Sequence, residues 1–296
     1  MTTRNNEANR PRDPQDNEVI YGRNTVLAFL EAEPEARRGV RGGRVNKIFA
    51  ALGQHTDKRV ERIKQLARQR NIPVVECERR KLDQMIGADQ AHQGVVAQLS
   101  PVDYWQLDQF FQLVERDKEH FVAQGGTAQE LMNSYAIGIV DGIEDPHNLG
   151  AIVRVAECAG MRALFVPERR SASLTAVVAK TSAGAIATLP IVRITNLVQT
   201  LERLKDFGFW IAGLDAEAKE SCFEADLARP LAVVIGSEGK GMSRLVKDNC
   251  DMLLRIPMFG KTESLNASVA AAVVFYEIVR QTRIAPKATQ SKKHQS

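Results

Sequence analysis

Residues 233–243 read VVIGSEGKGMS: three glycines and a lysine directly after a β-branched run, a pattern suited to holding a ligand in a turn. A phosphate loop needs a glycine, four residues, then Gly-Lys-Ser/Thr, with the hydroxyl on Mg²⁺. Here Gly236 and Gly239 precede Lys240, but Gly241 stands where the hydroxyl belongs. A dinucleotide fingerprint needs G-x-G-x-x-G. This stretch runs G-x-x-G-x-G and encloses Glu238, whose carboxylate would repel a pyrophosphate. Taken alone, the stretch is also compatible with a plain strand-to-helix turn. Two further segments carry polar groups that a core does not need. In IEDPHNLGAIVRVAECAG (143–160), Asn148 opens a helix and Arg154 follows six residues later. At 100° per residue the two do not share a helix face, so Asn148 is expected to be placed by its loop if both serve one site. Ordinary helix capping and an Arg154–Glu157 surface pair are the plainer alternative. In IPMFGKTESLNASVAAAVVFYE (256–277), Ser264 and Asn266 stand at the start of an otherwise apolar helix. N-capping readily accounts for one of them and less readily for the whole set.

The elements that would position these residues follow from periodicity. From about Tyr135 to Ile284 strands and helices alternate: AIGIVDGI, RALFVP, PIVRI, FWIAGLD, LAVVIG and MLLRIP as strands, NLGAIVRVAECAG, LTAVVAKTSAGAIATL, NLVQTLERLKDFG, SRLVKDNC and SLNASVAAAVVFYEIVRQTR as helices. The strands are continuous apolar runs, the mark of a parallel sheet covered on both faces. Residues 18–99 form a smaller α/β unit. Within it DKRVERIKQLARQR (57–70) is a helix with Val60, Ile63 and Ala67 on one stripe, and RRKLDQMIG is a helix ended by Gly87. Residues 100–134 read as a partly helical acidic connector broken at QGGT. Residues 1–17 and 285–296 read as a disordered tail and a loose basic tail.

Net charge is only +4, but residues 37–81 hold fourteen Lys/Arg against four Asp/Glu. A basic cluster spread over a loop and two helices points to a polyanion such as nucleic acid, with a solvated helix face and a basic loop as the plainer alternative. The four cysteines are scattered and form no C-x-x-C pair, so neither zinc nor a disulfide framework is suggested, and a reducing cytoplasm fits. The first residues lack the apolar core of a signal peptide, and no apolar run approaches the roughly 20 residues of a membrane span.

The three polar segments, read in order as N-x-G-x-x-x-R, G-S-E-G-x-G and I-P-M-x-G-x-x-x-S-L-N-x-S, resemble the three motifs of the SpoU/TrmH branch of the SPOUT methyltransferases. YGRNTVLAFL (21–30) and HQGVVAQ (92–98) resemble the ribosomal-protein-L30e-like substrate domain of the bacterial 23S rRNA guanosine 2′-O-methyltransferases in that branch. The resemblance implies an α/β fold: a SPOUT parallel sheet with a C-terminal trefoil knot, preceded by an L30e-like α/β domain. It implies S-adenosylmethionine as methyl donor, held by backbone at positions matching Gly236, Ile256 and Leu265. It assigns Arg154 the leading catalytic role, with Asn148, Ser264 and Asn266 orienting the ribose and Arg154, and Glu238 anchoring the loops. No metal is expected. The implied partners are RNA, 23S rRNA first, and a second copy of the chain in a homodimer. A tRNA ribose methyltransferase and a non-catalytic RNA-binding protein on the same scaffold are the alternatives.

Overall fold

A computed structural model describes residues 18–31, 45–53, 57–87, 90–99, 104–262 and 264–284; the expected tails at 1–17 and 285–296 lie outside the described residues. The described residues divide into two compact units, one built from residues 18–31 and 45–99, the other from residues 104–284.

The first unit runs β1 (Glu18–Tyr21), α1 (Arg23–Glu31), β2 (Val45–Ala51), α2 (Lys58–Gln69), β3 (Val74–Cys77), α3 (Arg79–Ile86) and β4 (Val95–Leu99). The strands form a mixed sheet in the order β1-β4-β2-β3, with β4 antiparallel to both neighbours and β2 parallel to β3. Alternation along β2 sends successive side chains to opposite faces. Phe49 and Ala51 meet Leu82 of α3, with Cys77 and Val96. On α2 the expected stripe of Val60, Ile63 and Ala67 is buried, while Lys58, Arg59, Arg62 and Arg68 face solvent. Asp57 caps this helix by accepting from the Arg59 N–H at 2.9 Å. The one lysine of α2 drawn inside, Lys64, is paired with Glu76 at 2.7 Å.

The second unit runs α4 (Leu107–Ala123), α5 (Ala128–Met132), β5 (Ala136–Asp141), α6 (Pro146–Cys158), β6 (Leu164–Pro167), α7 (Ala176–Thr181), β7 (Ile191–Ile194), α8 (Leu197–Asp206), β8 (Trp210–Leu214), β9 (Glu220–Ser221), β10 (Leu231–Gly236), α9 (Arg244–Asp248), β11 (Met252–Arg255) and α10 (Ala267–Val279). Its seven strands lie in the order β7-β6-β5-β10-β8-β11-β9, and every pairing is parallel. The chain leaves β5 toward β6 and β7, then returns to the other side of β10. Strand order therefore reverses beside β5 and β10. In open parallel sheets such a switch leaves a crevice at the carboxyl ends of the strands. The loops carrying the three polar segments all emerge at that edge.

Two elements differ from the sequence reading. The helix expected over LTAVVAKTSAGAIATL stops after α7, because Ala183 and Gly184 turn left-handed at φ 52° and 92°, and only a short 3₁₀ turn follows. The stretch read as a connector is substantially helical and packs into the second unit's core. Phe110 of α4 is fully buried among Phe165, Tyr135 and Phe209, with ring centroids 5.0, 6.4 and 6.1 Å away. Trp105 hydrogen-bonds along β7, its N–H donating to Ile191 at 2.8 Å, and so covers the edge of the sheet. The polar exterior of α4 gives the segment its acidic appearance, while the spacing of Phe110 and Val114 puts one stripe inside. Phe110→Ala is expected to cost about 3–5 kcal/mol, read as a lower urea midpoint, because it empties an aromatic cluster that joins α4 to three strands. A change under about 0.5 kcal/mol would show that α4 is not part of the core.

Candidate active site

The loop after β10 is a tight reversal. The Ser237 N–H donates to the Gly241 carbonyl at 3.1 Å, and the Gly241 N–H returns to Ser237 at 2.9 Å. Gly236 is required by this closure. A Cβ there would lie 2.3 Å from the Gly241 carbonyl carbon and 2.4 Å from the Met242 nitrogen, and both contacts are backbone. The Ser243 N–H donates to Asp141 Oδ2 at 2.9 Å, which ties the far end of the loop to the end of β5.

Inside this reversal Glu238 collects the other two segments. Its Oε1 accepts from Asn148 Nδ2 at 2.9 Å, from Asn266 Nδ2 at 2.5 Å and from the Ala267 N–H at 3.3 Å. Asn266 Nδ2 also donates to Asn148 Oδ1 at 2.9 Å. Asn266 Oδ1 caps α10, accepting from the Ser268 N–H at 2.9 Å and the Ser268 hydroxyl at 2.6 Å. The capping bonds fix which way the amide points, so its NH₂ must face Glu238 and Asn148. Asn148 itself departs from expectation. The N-cap of α6 is Asp145, which accepts from the His147 N–H at 2.9 Å, and Pro146 opens the helix. Asn148 therefore sits in the first helical turn, positioned by the helix rather than by the loop before it.

Two cavities share this network. The first, of about 490 Å³, is lined by Gly236, Ile256, Ser264 and Leu265, with Leu214, Asp215, Glu217, Ile235, Lys247 and Leu254. The three backbone-binding candidates and Ser264 thus come together from two segments, the end of β10 and residues 256–265. The second, of about 510 Å³, lies along Asp141, Glu144, Asp145, Asn148 and Arg170. Ser237, Glu238 and Lys240 line both. Arg154 lines neither. It is exposed on α6 and makes no hydrogen bond or ion pair among the described residues, so the Arg154–Glu157 pair is not formed either.

Residues 136–276 match the SpoU rRNA methylase family, and residues 19–105 match the substrate-binding domain of RNA 2′-O-ribose methyltransferases. The chain is 39% identical over 267 residues to the 23S rRNA (guanosine-2′-O-)-methyltransferase RlmB of Pseudomonas putida, covering 90% of this chain and 98% of that one. It is 40% identical over 264 residues to RlmB of Pseudomonas aeruginosa, covering 89% and 96%. This chain belongs to the SpoU methylase family. The SpoU methyltransferase AviRb from Streptomyces viridochromogenes, solved with its cofactor AdoMet, shares the fold: TM-score 0.66 at 21% identity over 89% of each chain.

Sequence reasoning missed one charged pair that lines the first cavity. Asp215, at the end of β8, pairs with Lys247 of α9 at 2.5 Å and accepts from the Glu217 N–H at 3.0 Å. The signal was its place just past a parallel strand, where site residues concentrate. Burial pushes the Asp215 carboxyl up, but the Lys247 ammonium and the Glu217 N–H outweigh it and hold the pKa below its ordinary value. The hydrogen bond to Asp215 in turn raises that of Lys247. With a depressed folded pKa, the stabilisation is complete above the unfolded carboxylate value of about 3.9 and is lost as pH falls through the folded value. Lys247→Met should therefore flatten the acid limb of a melting-temperature profile below about pH 4 and leave its slope near neutrality unchanged. An unaltered acid limb would mean that the pair contributes nothing. Gly236→Ala should cost about 1–3 kcal/mol in urea unfolding and speed hydrogen exchange at the Ser237 and Gly241 amides. Wild-type protection at both amides would show that the turn accepts a side chain.

Proposed function

We propose that this chain transfers a methyl group from S-adenosylmethionine to the ribose 2′-hydroxyl of a guanosine in 23S rRNA. The observation that carries the reading is the cavity shared by Gly236, Ile256, Ser264 and Leu265, closed on one side by the Glu238–Asn148–Asn266 network. Its lining suits this donor. Leu214, Ile235, Leu254 and Ile256 offer an apolar bed for an adenine, while Glu217 and Glu238 favour a cation over a phosphate. The donor, when bound, supplies an electrophilic methyl on a cationic sulfur. The same family resemblance carries a C-terminal trefoil knot, in which the 237–243 and 256–265 loops would form the threaded region.

The chain's own contribution is alignment and electrostatics. Well-oriented groups can supply up to about 7–11 kcal/mol of a barrier. Glu238 fixes Asn148 and Asn266, and these with Ser264 would orient the ribose. Arg154 would act as a fixed positive fork. As a planar guanidinium fork it holds a backbone phosphate and stabilises the forming alkoxide rather than taking the proton as a base. Because Arg154 lines neither cavity of its own chain, it would enter the site of a second protomer. Val269 and Tyr276, seven residues apart on α10 and about half exposed, offer an apolar face for such a two-fold contact. The exposed cations of α2 would meet the RNA backbone. Among the described residues no helix is long and apolar enough to cross a membrane.

Arg154→Ala should retain S-adenosylmethionine binding by calorimetry and lose about 10²–10³ in single-turnover rate. Wild-type turnover would refute its role. Mixing Arg154→Ala with a donor-pocket variant, Gly236→Val, should restore about a quarter of wild-type activity, the share that random pairing in a two-fold dimer provides. No restoration would mean that Arg154 acts within its own chain. Mapping 2′-O-methyl groups on total RNA with and without the protein should show one missing guanosine mark in 23S rRNA. A mark lost only from tRNA would redirect the substrate assignment.

A further inference from the structure

We infer that the second cavity reads the acceptor base as guanine, with Glu144 and Arg170 as the base-contacting side chains; this rests on the methyl-transfer reading above. The cavity lies across the 237–241 turn from the donor cavity, and Ser237, Glu238 and Lys240 line both. A nucleotide in it would therefore have its ribose beside the donor. Its volume of about 510 Å³ falls within the usual range for small-molecule sites.

Two of its carboxylates are already engaged. Asp141 receives the Ser243 N–H, and Asp145 caps α6 through the His147 N–H. Glu144 and Arg170 are not. Both line the cavity, both are exposed, and neither makes a hydrogen bond or ion pair among the described residues. Their positions are nonetheless linked. The Ile143 carbonyl, next to Glu144, accepts from the Ala172 N–H at 2.9 Å and the Ser171 hydroxyl at 3.3 Å, which binds the turn of Arg170 to the loop after β5. Arg170 takes φ +58°, a left-handed conformation that residues other than glycine adopt infrequently. The arrangement places an uncommitted anion and an uncommitted cation in one cavity.

Guanine matches that pair. Its Watson–Crick edge presents N1–H and N2–H₂ donors to a carboxylate, and its O6 and N7 accept a guanidinium fork. Adenine has an acceptor at N1 and neither a 2-amino group nor O6, so it loses the paired donors to the carboxylate and one acceptor of the fork. Pyrimidines lack the N7 acceptor. Such reading needs an unstacked base, which single-stranded RNA segments provide.

The test uses the full-length protein and a 23S rRNA transcript in which the methylated guanosine, mapped with the wild type, is replaced by inosine (no 2-amino group) or 7-deazaguanosine (no N7). Wild type should methylate each analogue about ten- to a hundredfold more slowly than guanosine. Glu144→Gln should lose the preference over inosine, and Arg170→Ala the preference over 7-deazaguanosine, each keeping wild-type affinity for S-adenosylmethionine by calorimetry. A Glu144→Gln protein that still discriminates against inosine as the wild type does overturns the assignment. Loss of donor binding in that variant also overturns it, by placing Glu144 in the other cavity. A wild type that binds the donor but methylates no guanosine refutes the methyl-transfer reading itself, and that outcome is distinct from either of the others.

Discussion

One carboxylate oxygen holds three distant parts of the chain in register. Glu238 Oε1 takes hydrogen bonds from Asn148 on α6, from Asn266 before α10, and from the first backbone N–H of α10. Because Asn266 spends its carbonyl on the α10 cap, its two amide hydrogens are committed to Asn148 and Glu238. The network has little freedom to rearrange: rotating either amide would leave a donor facing a donor. A carboxylate in a glycine turn, which counts against a phosphate loop, is here the fastening point of the loops. The two cavities lie on either side of that fastening, and Ser237, Glu238 and Lys240 line both.

The sheet supplies the place for it. With every pairing parallel, each of β5, β8, β10 and β11 delivers its following loop to one edge. The reversal of strand order beside β5 and β10 opens the crevice that these loops line. Gly236 then lets the β10 loop fold back against itself, which a side chain would prevent. The α4 segment acts from a distance: Phe110 packs against Phe165 of β6 and against Tyr135 and Phe209, the residues that lead into β5 and β8.

Much of this was legible in the residues. Continuous apolar strands separated by helices announced the parallel sheet, and the three segments that stood out because no core needs their polar residues meet through Asn148, Glu238 and Asn266. Periodicity carries no information on strand order, so the reversal beside β10 was invisible, as was the pairing of Asp215 with Lys247, which depends on that order. The α6 boundary was misplaced because Asp145-Pro146 is the stronger start signal and Asn148 the more conspicuous residue. The break after α7 was missed because Ala183 is not a residue that favours a left-handed turn. The spacing of Arg154 from Asn148 already placed it on another helix face, and the fold keeps it there, exposed and outside both cavities.

The central claim is that the 236–243 turn and the 256–267 segment form one donor site fastened through Glu238. Hydrogen–deuterium exchange of the protein titrated with S-adenosylmethionine tests it most directly. The account requires amides in both segments to gain protection together, at one half-saturating concentration. Protection confined to one segment, or absent from both while the donor binds elsewhere, would contradict it.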